Sequence, residues 1–230
     1  MIFMCGRFAL HNPITEVSQC IGATDLEVIQ FEPSYNIGPQ QEAPVIVKQD
    51  SISRDSGISI RMMKWGLRPS WSKKSTQEPI NARIESIESK PMFSEAYSKR
   101  RCLIPANGWY EWSVDKAQKT PWYHFREDLD ICWFAGIWEP WNDSEGNTTV
   151  SFAIITQSAY ENISNVHHRM PVIIEKKHCI DWLNGSSLDD VESYQSIKNH
   201  PVSKEVNSVK SQGSSLIRKI PTLFLSLIHI

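Results

Sequence analysis

The hydrophobic and polar positions change period several times along the chain, and each change predicts an element. Asn12 and Pro13 ahead of ITEVSQCIG read as an N-cap, a proline in the first turn, a short amphipathic helix and a stop at Gly22. FEPSYNIGPQQEAP (31–44) is rich in turn formers and reads as irregular. VIVK (45–48) and RMMKWGL (61–67) read as strands separated by a polar loop over 49–57, and RPSWSKKSTQEP (68–79) as a basic exposed loop. MFSEAYSKRR (92–101) suits a short helix whose basic end favours its dipole. CLIPANGWYEW, PWYHFRE, ICWFAGIWEP and VSFAIITQ follow as β-like runs, and EKKHCIDWLNG (175–185) as another helix capped by Gly185. No repeat and no long linker divides the chain. The pattern predicts one α+β domain with a mostly antiparallel sheet core and a few peripheral helices.

The two ends depart from this pattern. Three residues, Met1 to Phe3, precede Met4-Cys5; they are expected to be an over-long start outside the mature protein, with the domain spanning 4–219. IPTLFLSLIHI (220–230) is abruptly apolar, and LSLIHI resembles the translation of a sequencing adapter. This tail is expected to be a sequence artefact, and His229 carries no functional weight.

Composition narrows the classes. A chain of 230 residues with 40% hydrophobic and 22% charged positions can bury a core. No run approaches the roughly 18–20 apolar residues that span a bilayer, and no basic-then-apolar leader opens the chain. Cys5, Cys20, Cys102, Cys132 and Cys179 are odd in number and scattered, without a C-x-x-C pair, which speaks against a disulfide framework, against a metal site and for a reducing, cytoplasmic setting. A net charge of -2 announces no nucleic-acid binder, yet a local basic groove can act within a neutral protein. Eight of the nine tryptophans lie between Trp65 and Trp141; most are expected in the core and one or two as exposed stacking platforms.

The candidate chemistry sits in separated stretches: MCGRF (4–8), PINARIES (79–86), CLIPANGWYEW (102–112) and VHHRMPVII (166–174), with YNIGPQQ (35–41), WGLRPSW (65–71) and HPVSKEVNSV (200–209) around them. Each stretch alone is weak. In this order and spacing the set resembles the SRAP family, the SOS-response-associated peptidases, over about residues 4 to 218. That resemblance implies a protein that shields abasic sites in single-stranded DNA, needs no cofactor, works as a monomer in the nucleoid-associated cytoplasm, and processes its own N-terminus.

The residues can be read beside that resemblance. A cysteine at a mature N-terminus carries an amine and a thiol two carbons apart, with ordinary pKa values of about 8 and 8.5. The amine forms a Schiff base with an aldehyde, the thiol closes a thiazolidine, and an abasic sugar is an aldehyde whenever its ring opens. A free cysteine taken alone is ordinarily a small buried hydrophobe. Glu111, among Trp109, Tyr110 and Trp112, is either a carboxyl raised by desolvation and able to give and take a proton, or a rim carboxylate paired with an arginine. Asn81 can orient a sugar without changing charge, or it caps a turn. His167 and His168 are adjacent, so on a strand only one faces the site; the family register selects His167 and leaves His168 where many bacterial members carry aspartate. Arg7, Arg83 and Arg169 are the arginines the resemblance sets against phosphates, although an isolated arginine such as Arg83 more often makes a surface ion pair. Trp71 is the candidate stacking platform, or simple packing under its loop; Lys73 and Lys74 add only to the long-range field. Two other classes stay open at this point: a cysteine peptidase acting on other proteins through Cys5, His167 and Asn81, and a non-catalytic reader of modified DNA.

Overall fold

Strand alternation and turn chemistry build two sheets that share a core. The computed structural model describes residues 5–26, 30–48, 57–72, 78–113, 119–128, 131–187 and 196–221. Met1 to Met4, Lys73, Lys74, His229 and all of the apolar tail beyond residue 221 lie outside the described residues. The strands are β1 (Phe8–Leu10), β2 (Asp25–Leu26), β3 (Ser34–Ile37), β4 (Glu42–Lys48), β5 (Ile58–Trp65), β6 (Asn81–Arg83), β7 (Arg101–Ala106), β8 (Gly108–Trp112), β9 (Pro121–Arg126), β10 (Cys132–Asn142), β11 (Thr148–Ser158), β12 (Arg169–Pro171), β13 (Ile173–Ile174) and β14 (Ile197–Pro201). The helices are α1 (Ile14–Ile21), α2 (Ser94–Lys99) and α3 (Cys179–Leu183). The fold is a single α+β domain, rich in sheet, with three short helices among the described residues.

The smaller sheet runs β14-β9-β8-β1-β3 and is antiparallel throughout. The larger runs β12-β11-β10-β7-β4-β5-β2, and a parallel pairing of β5 with β11 closes β11-β10-β7-β4-β5 into a ring. Strands β4, β7 and β10 carry unbroken buried runs rather than alternation, because apolar groups cover both their faces. Phe8 of the smaller sheet meets Trp65 edge-on at 5.2 Å and Phe134 at 6.5 Å, so the two sheets share one core. The outer face of the smaller sheet has a second core of Ala9, Tyr110, Tyr123, Val202, Val206 and Leu216, closed by the C-terminal segment 202–218.

Several expectations need correction. The stretch 31–44 is not irregular throughout: β3 lies within it and β4 starts in it, leaving a turn over 38–41 that includes Gln40 at a positive φ of 69°. The turn residues that marked it as loop are confined to its ends and to that turn. Pro13, at ψ 146°, caps α1 rather than entering its first turn, and Asn12 bonds the Glu16 carboxylate at 2.8 Å instead of a helix N–H. The predicted run 102–112 is two strands belonging to different sheets. Between them the Asn107 side chain accepts the His11 N–H at 2.7 Å, and Gly108 passes so near β9 that a Cβ would stand 2.3 Å from the His124 carbonyl oxygen. Helix α3 covers only 179–183, after a 3-10 turn at 176–178. Four tryptophans (65, 109, 133 and 182) are fully buried, four are half-buried, and only Trp71 stands exposed.

Candidate active site

The pairing of β1 with β8 continues beyond the N-terminal end of β1: the Tyr110 N–H donates to the Arg7 carbonyl at 2.9 Å, which carries Cys5 alongside Glu111. Cys5 has φ 41°, a left-handed conformation that costs a non-glycine residue about 1–2 kcal/mol. Its thiol and its backbone nitrogen both donate to the same Oε1 of Glu111, at 2.8 and 2.9 Å. Both residues are 2% exposed. Burial pushes the Glu111 carboxyl up to about 8, against the pull of the two Cys5 hydrogen bonds. Burial, and then the neighbouring Glu111, raise the Cys5 thiol as well, while Arg169 pulls it down. Both groups thus hold their protons above the ordinary range and side by side, the setting in which a carboxyl can pass a proton to and from the sulfur.

The aromatic surroundings of Glu111 differ from the sequence neighbours. Successive strand residues face opposite sides. Tyr110 and Trp112 therefore point to the outer face, where the Tyr110 hydroxyl donates to the Tyr35 carbonyl at 2.7 Å and the Trp112 indole to Asn207 at 2.7 Å. The inner face holds Trp109, and across the strand pair Trp122 stands directly opposite Glu111. His124 stands opposite Trp109, stacked on its ring at 5.1 Å, and burial pushes it down to about 3.

His167 and His168 do not lie on a strand. They precede β12, and their rings stack at 4.5 Å instead of facing opposite ways. His167 is buried and His168 exposed, so only His167 belongs to the interior. The Arg169 N–H donates to His167 Nδ1 at 3.1 Å; the Arg169 carbonyl lies farther, at 3.3 Å. An amide nitrogen can only donate, so the shorter contact favours Nδ1 as acceptor and the proton on Nε2, whereas the opposite tautomer would donate to the carbonyl. Burial lowers the His167 pKa, which keeps the ring neutral near pH 7.

Strand β6 sets Asn81 and Arg83 on one side of the strand, with Ala82 buried between them; Arg83 is exposed. Arg7 and Arg169 are buried and held by the protein. Arg7 donates to Asn36 Oδ1 and the Val206 carbonyl, both at 2.7 Å, with its guanidinium 5.8 Å from the Trp112 ring centre. Arg169 grips Glu85 at both carboxylate oxygens and donates to the Thr156 carbonyl at 2.6 Å. Trp71 is 56% exposed, in a turn closed by the Ser72 N–H on the Pro69 carbonyl at 3.0 Å and by the Trp141 indole on the Ser72 carbonyl at 2.6 Å. Sequence reasoning passed over Glu85, Asn36, Trp122 and His124. Glu85 lies inside the PINARIES stretch and Asn36 inside YNIGPQQ, while the register that brings Trp122 and His124 to the site is a tertiary fact. Among the described residues, no group of three or more His, Cys, Asp or Glu is placed to hold a metal ion, and no helix is long and apolar enough to cross a membrane.

Residues 4–209 match the family described as SOS response associated peptidase (SRAP). The chain is 33% identical to the abasic site processing protein YoqW of Bacillus subtilis, over 93% of this chain and 99% of that one. It is 31% identical to the abasic site processing protein HMCES of Gallus gallus, over 90% of this chain and 75% of that one. A crystal structure of a protein from Bacteroides thetaiotaomicron superposes with a TM-score of 0.82 over 94% of this chain and 100% of that one; at 23% identity this likeness shows the fold.

Proposed function

Because the chain belongs to the SOS response associated peptidase (SRAP) family, we propose that it processes abasic sites, capturing them in single-stranded DNA as a covalent thiazolidine on Cys5. One observation carries this reading: the nitrogen and the sulfur of Cys5 converge on a single oxygen of Glu111. With Met4 attached the nitrogen is an amide; once the bond before Cys5 is cut, the same atom is the α-amine. The chain's own cleavage of that bond would free it: the thiol takes the Met4 acyl group as Glu111 hands the nitrogen a proton, and water then hydrolyses the thioester to release the Met4 carboxylate and restore the thiol.

His167, through its Nε2–H, helps the sugar ring open to the aldehyde. The amine adds to the aldehyde carbon, and the carbinolamine loses water with a proton from Glu111. The thiol returns its proton to the Glu111 carboxylate as its sulfur adds to the iminium carbon, and the nitrogen keeps one proton. Aldehyde and aminothiol give thiazolidine and one water. Holding both nucleophiles on one residue makes the second step intramolecular. Asn81 orients the sugar, Arg7, Arg83 and Arg169 face the phosphates, and Trp71 stacks a base. The protein acts as a monomer in the nucleoid-associated cytoplasm.

The test is a denaturing gel after incubation of the processed protein with single-stranded DNA carrying one abasic site. A shifted, denaturant-stable band is expected, and it is expected to vanish in Cys5→Ala. No band from protein whose mass shows a free Cys5 N-terminus sinks the reading. A band that persists in Cys5→Ala removes the thiazolidine.

A further inference from the structure

Glu85 follows β6 by two residues, and its contact with Arg169 is lopsided. The guanidinium side chain is 8% exposed, whereas the Glu85 side chain is 52% exposed and reaches it from the solvent side. Arg169 Nη1 and Nη2 take one carboxylate oxygen each, and Nη2 also holds the Thr156 carbonyl. Arg169 Nε is buried with no hydrogen-bond partner in the protein. Exposed Arg83 lies within the field of the same carboxylate, which the two arginines hold below its usual range, Arg169 foremost. One anion thus stands at the mouth of a buried guanidinium fork, beside a second arginine. An arginine fork grips carboxylate and phosphate by the same two-bond geometry.

We propose that Glu85 is an internal stand-in for a backbone phosphate: it holds Arg169 aligned while the protein is free of DNA and cedes it to a phosphate of the incoming single strand. A buried arginine stripped of its partner is strongly destabilising, so the fork must stay filled before DNA arrives, and an exchange of anions keeps it filled throughout. The carboxylate is half open to solvent, where a competing anion can reach the fork. The inference rests on the DNA-binding reading above.

The probe is a labelled, unmodified single-stranded oligonucleotide, with binding to the full chain followed by anisotropy across a salt series. Wild type is expected to bind. Glu85→Gln is expected to bind several-fold tighter, with the slope of log Kd against log salt steeper by up to about 0.7, the value of one phosphate neutralised on a single strand. Glu88→Gln removes the same charge three residues on without touching Arg169, and is expected to give a clearly smaller gain. Equal gains in the two variants would mean a long-range field and overturn the exchange; so would unchanged or weaker binding by Glu85→Gln. If Glu85→Gln fails to fold by thermal melting, Glu85→Asp is read instead: it keeps the charge but shortens the reach, and a gain of the same sign supports the exchange while none overturns it. A wild-type chain that does not bind at low salt fails the underlying function, a result distinct from either variant's.

Discussion

The Arg169 N–H donates to Nδ1 of His167 at 3.1 Å, a contact that favours the tautomer with its proton on Nε2. In the proposed capture, the neutral ring offers Nε2–H to an oxygen of the sugar. Glutamine can place an amide donor near the Nε2 position, whereas asparagine reaches only the Nδ1 position. His167→Gln is therefore expected to retain more single-turnover crosslinking than His167→Asn, which should lose on the order of 100-fold, the scale of a general acid. The reverse ranking would assign the proton to Nδ1.

Glu111 makes a prediction with a definite sign. Its folded pKa is raised to about 8, so its favourable contribution is full below the unfolded value near 4.3, erodes above it and is lost as pH rises through 8. Above that pH a buried anion is being forced on the site. Glu111→Gln has no such proton to lose. Its melting temperature should rise relative to wild type between pH 6 and pH 8 by roughly 5–10 °C, from about 1.4 kcal/mol per pH unit at about 2–4 °C per kcal/mol, and level off above. Its crosslinking should meanwhile fall by about 10²–10⁴. Parallel melting curves across that pH range would show that burial does not govern this carboxyl.

What could be read from the sequence was what depends on local pattern. The strand runs, helix α1 with its Gly22 stop, and the separation of Cys5, Glu111 and His167 into ordered stretches are all local. What could not be read depends on partners far along the chain. Tyr110 and Trp112 look like the walls around Glu111 because they adjoin it, yet pleating turns both away and register supplies Trp122 instead. The two histidines look like a strand pair until the turn before β12 stacks them. Arg169 looks free for phosphate until Glu85, 84 positions earlier, is brought against it.

His124 carries the opposite sign to Glu111. Burial depresses its pKa to about 3, so its contribution is full above the unfolded value near 6.5 and is lost as pH falls towards 3. Over that window one proton taken up on unfolding costs about 1.4 kcal/mol per pH unit. His124→Phe keeps a ring beside Trp109 without the titration. Urea unfolding at pH 4, 5 and 6 should show a shallower acid loss than wild type by close to that slope; identical acid limbs would refute the assignment.

Asn36 joins the N-terminal strand to the C-terminal segment. It is fully buried; Oδ1 accepts from Arg7, and Nδ2 donates to the carbonyls of Ser208 and Ser211 at 2.8 and 3.0 Å. Asn36→Ala takes one of the two acceptors from Arg7 Nη1 and the donor from two part-buried carbonyls that water can reach, at about 1–3 kcal/mol in all. A melting temperature lower by roughly 5–10 °C is expected. Protection from hydrogen exchange should fall first over 203–212, the stretch that Asn36 fastens. Uniform loss across the chain would mean that the segment is held by its apolar contacts instead.

Trp71 offers a way to separate the proposed binding from folding. Its ring is 56% exposed, while the turn beneath it is held by main-chain bonds and by the Trp141 indole, none of which involves the Trp71 ring. Removing the ring should leave stability within about 0.5 kcal/mol. If the ring stacks on a base, Trp71→Ala loses about 1–3 kcal/mol of single-strand affinity, a factor of roughly 5 to 150. Base identity should matter little, since every base presents a π face, and the salt slope should stay constant because no phosphate contact is lost. Titrations of poly-dT and mixed-sequence oligonucleotides at two salt concentrations read all three quantities. An unchanged affinity would make Trp71 a passive surface residue, and a changed slope would show that the substitution had moved the basic loop rather than a stacking platform.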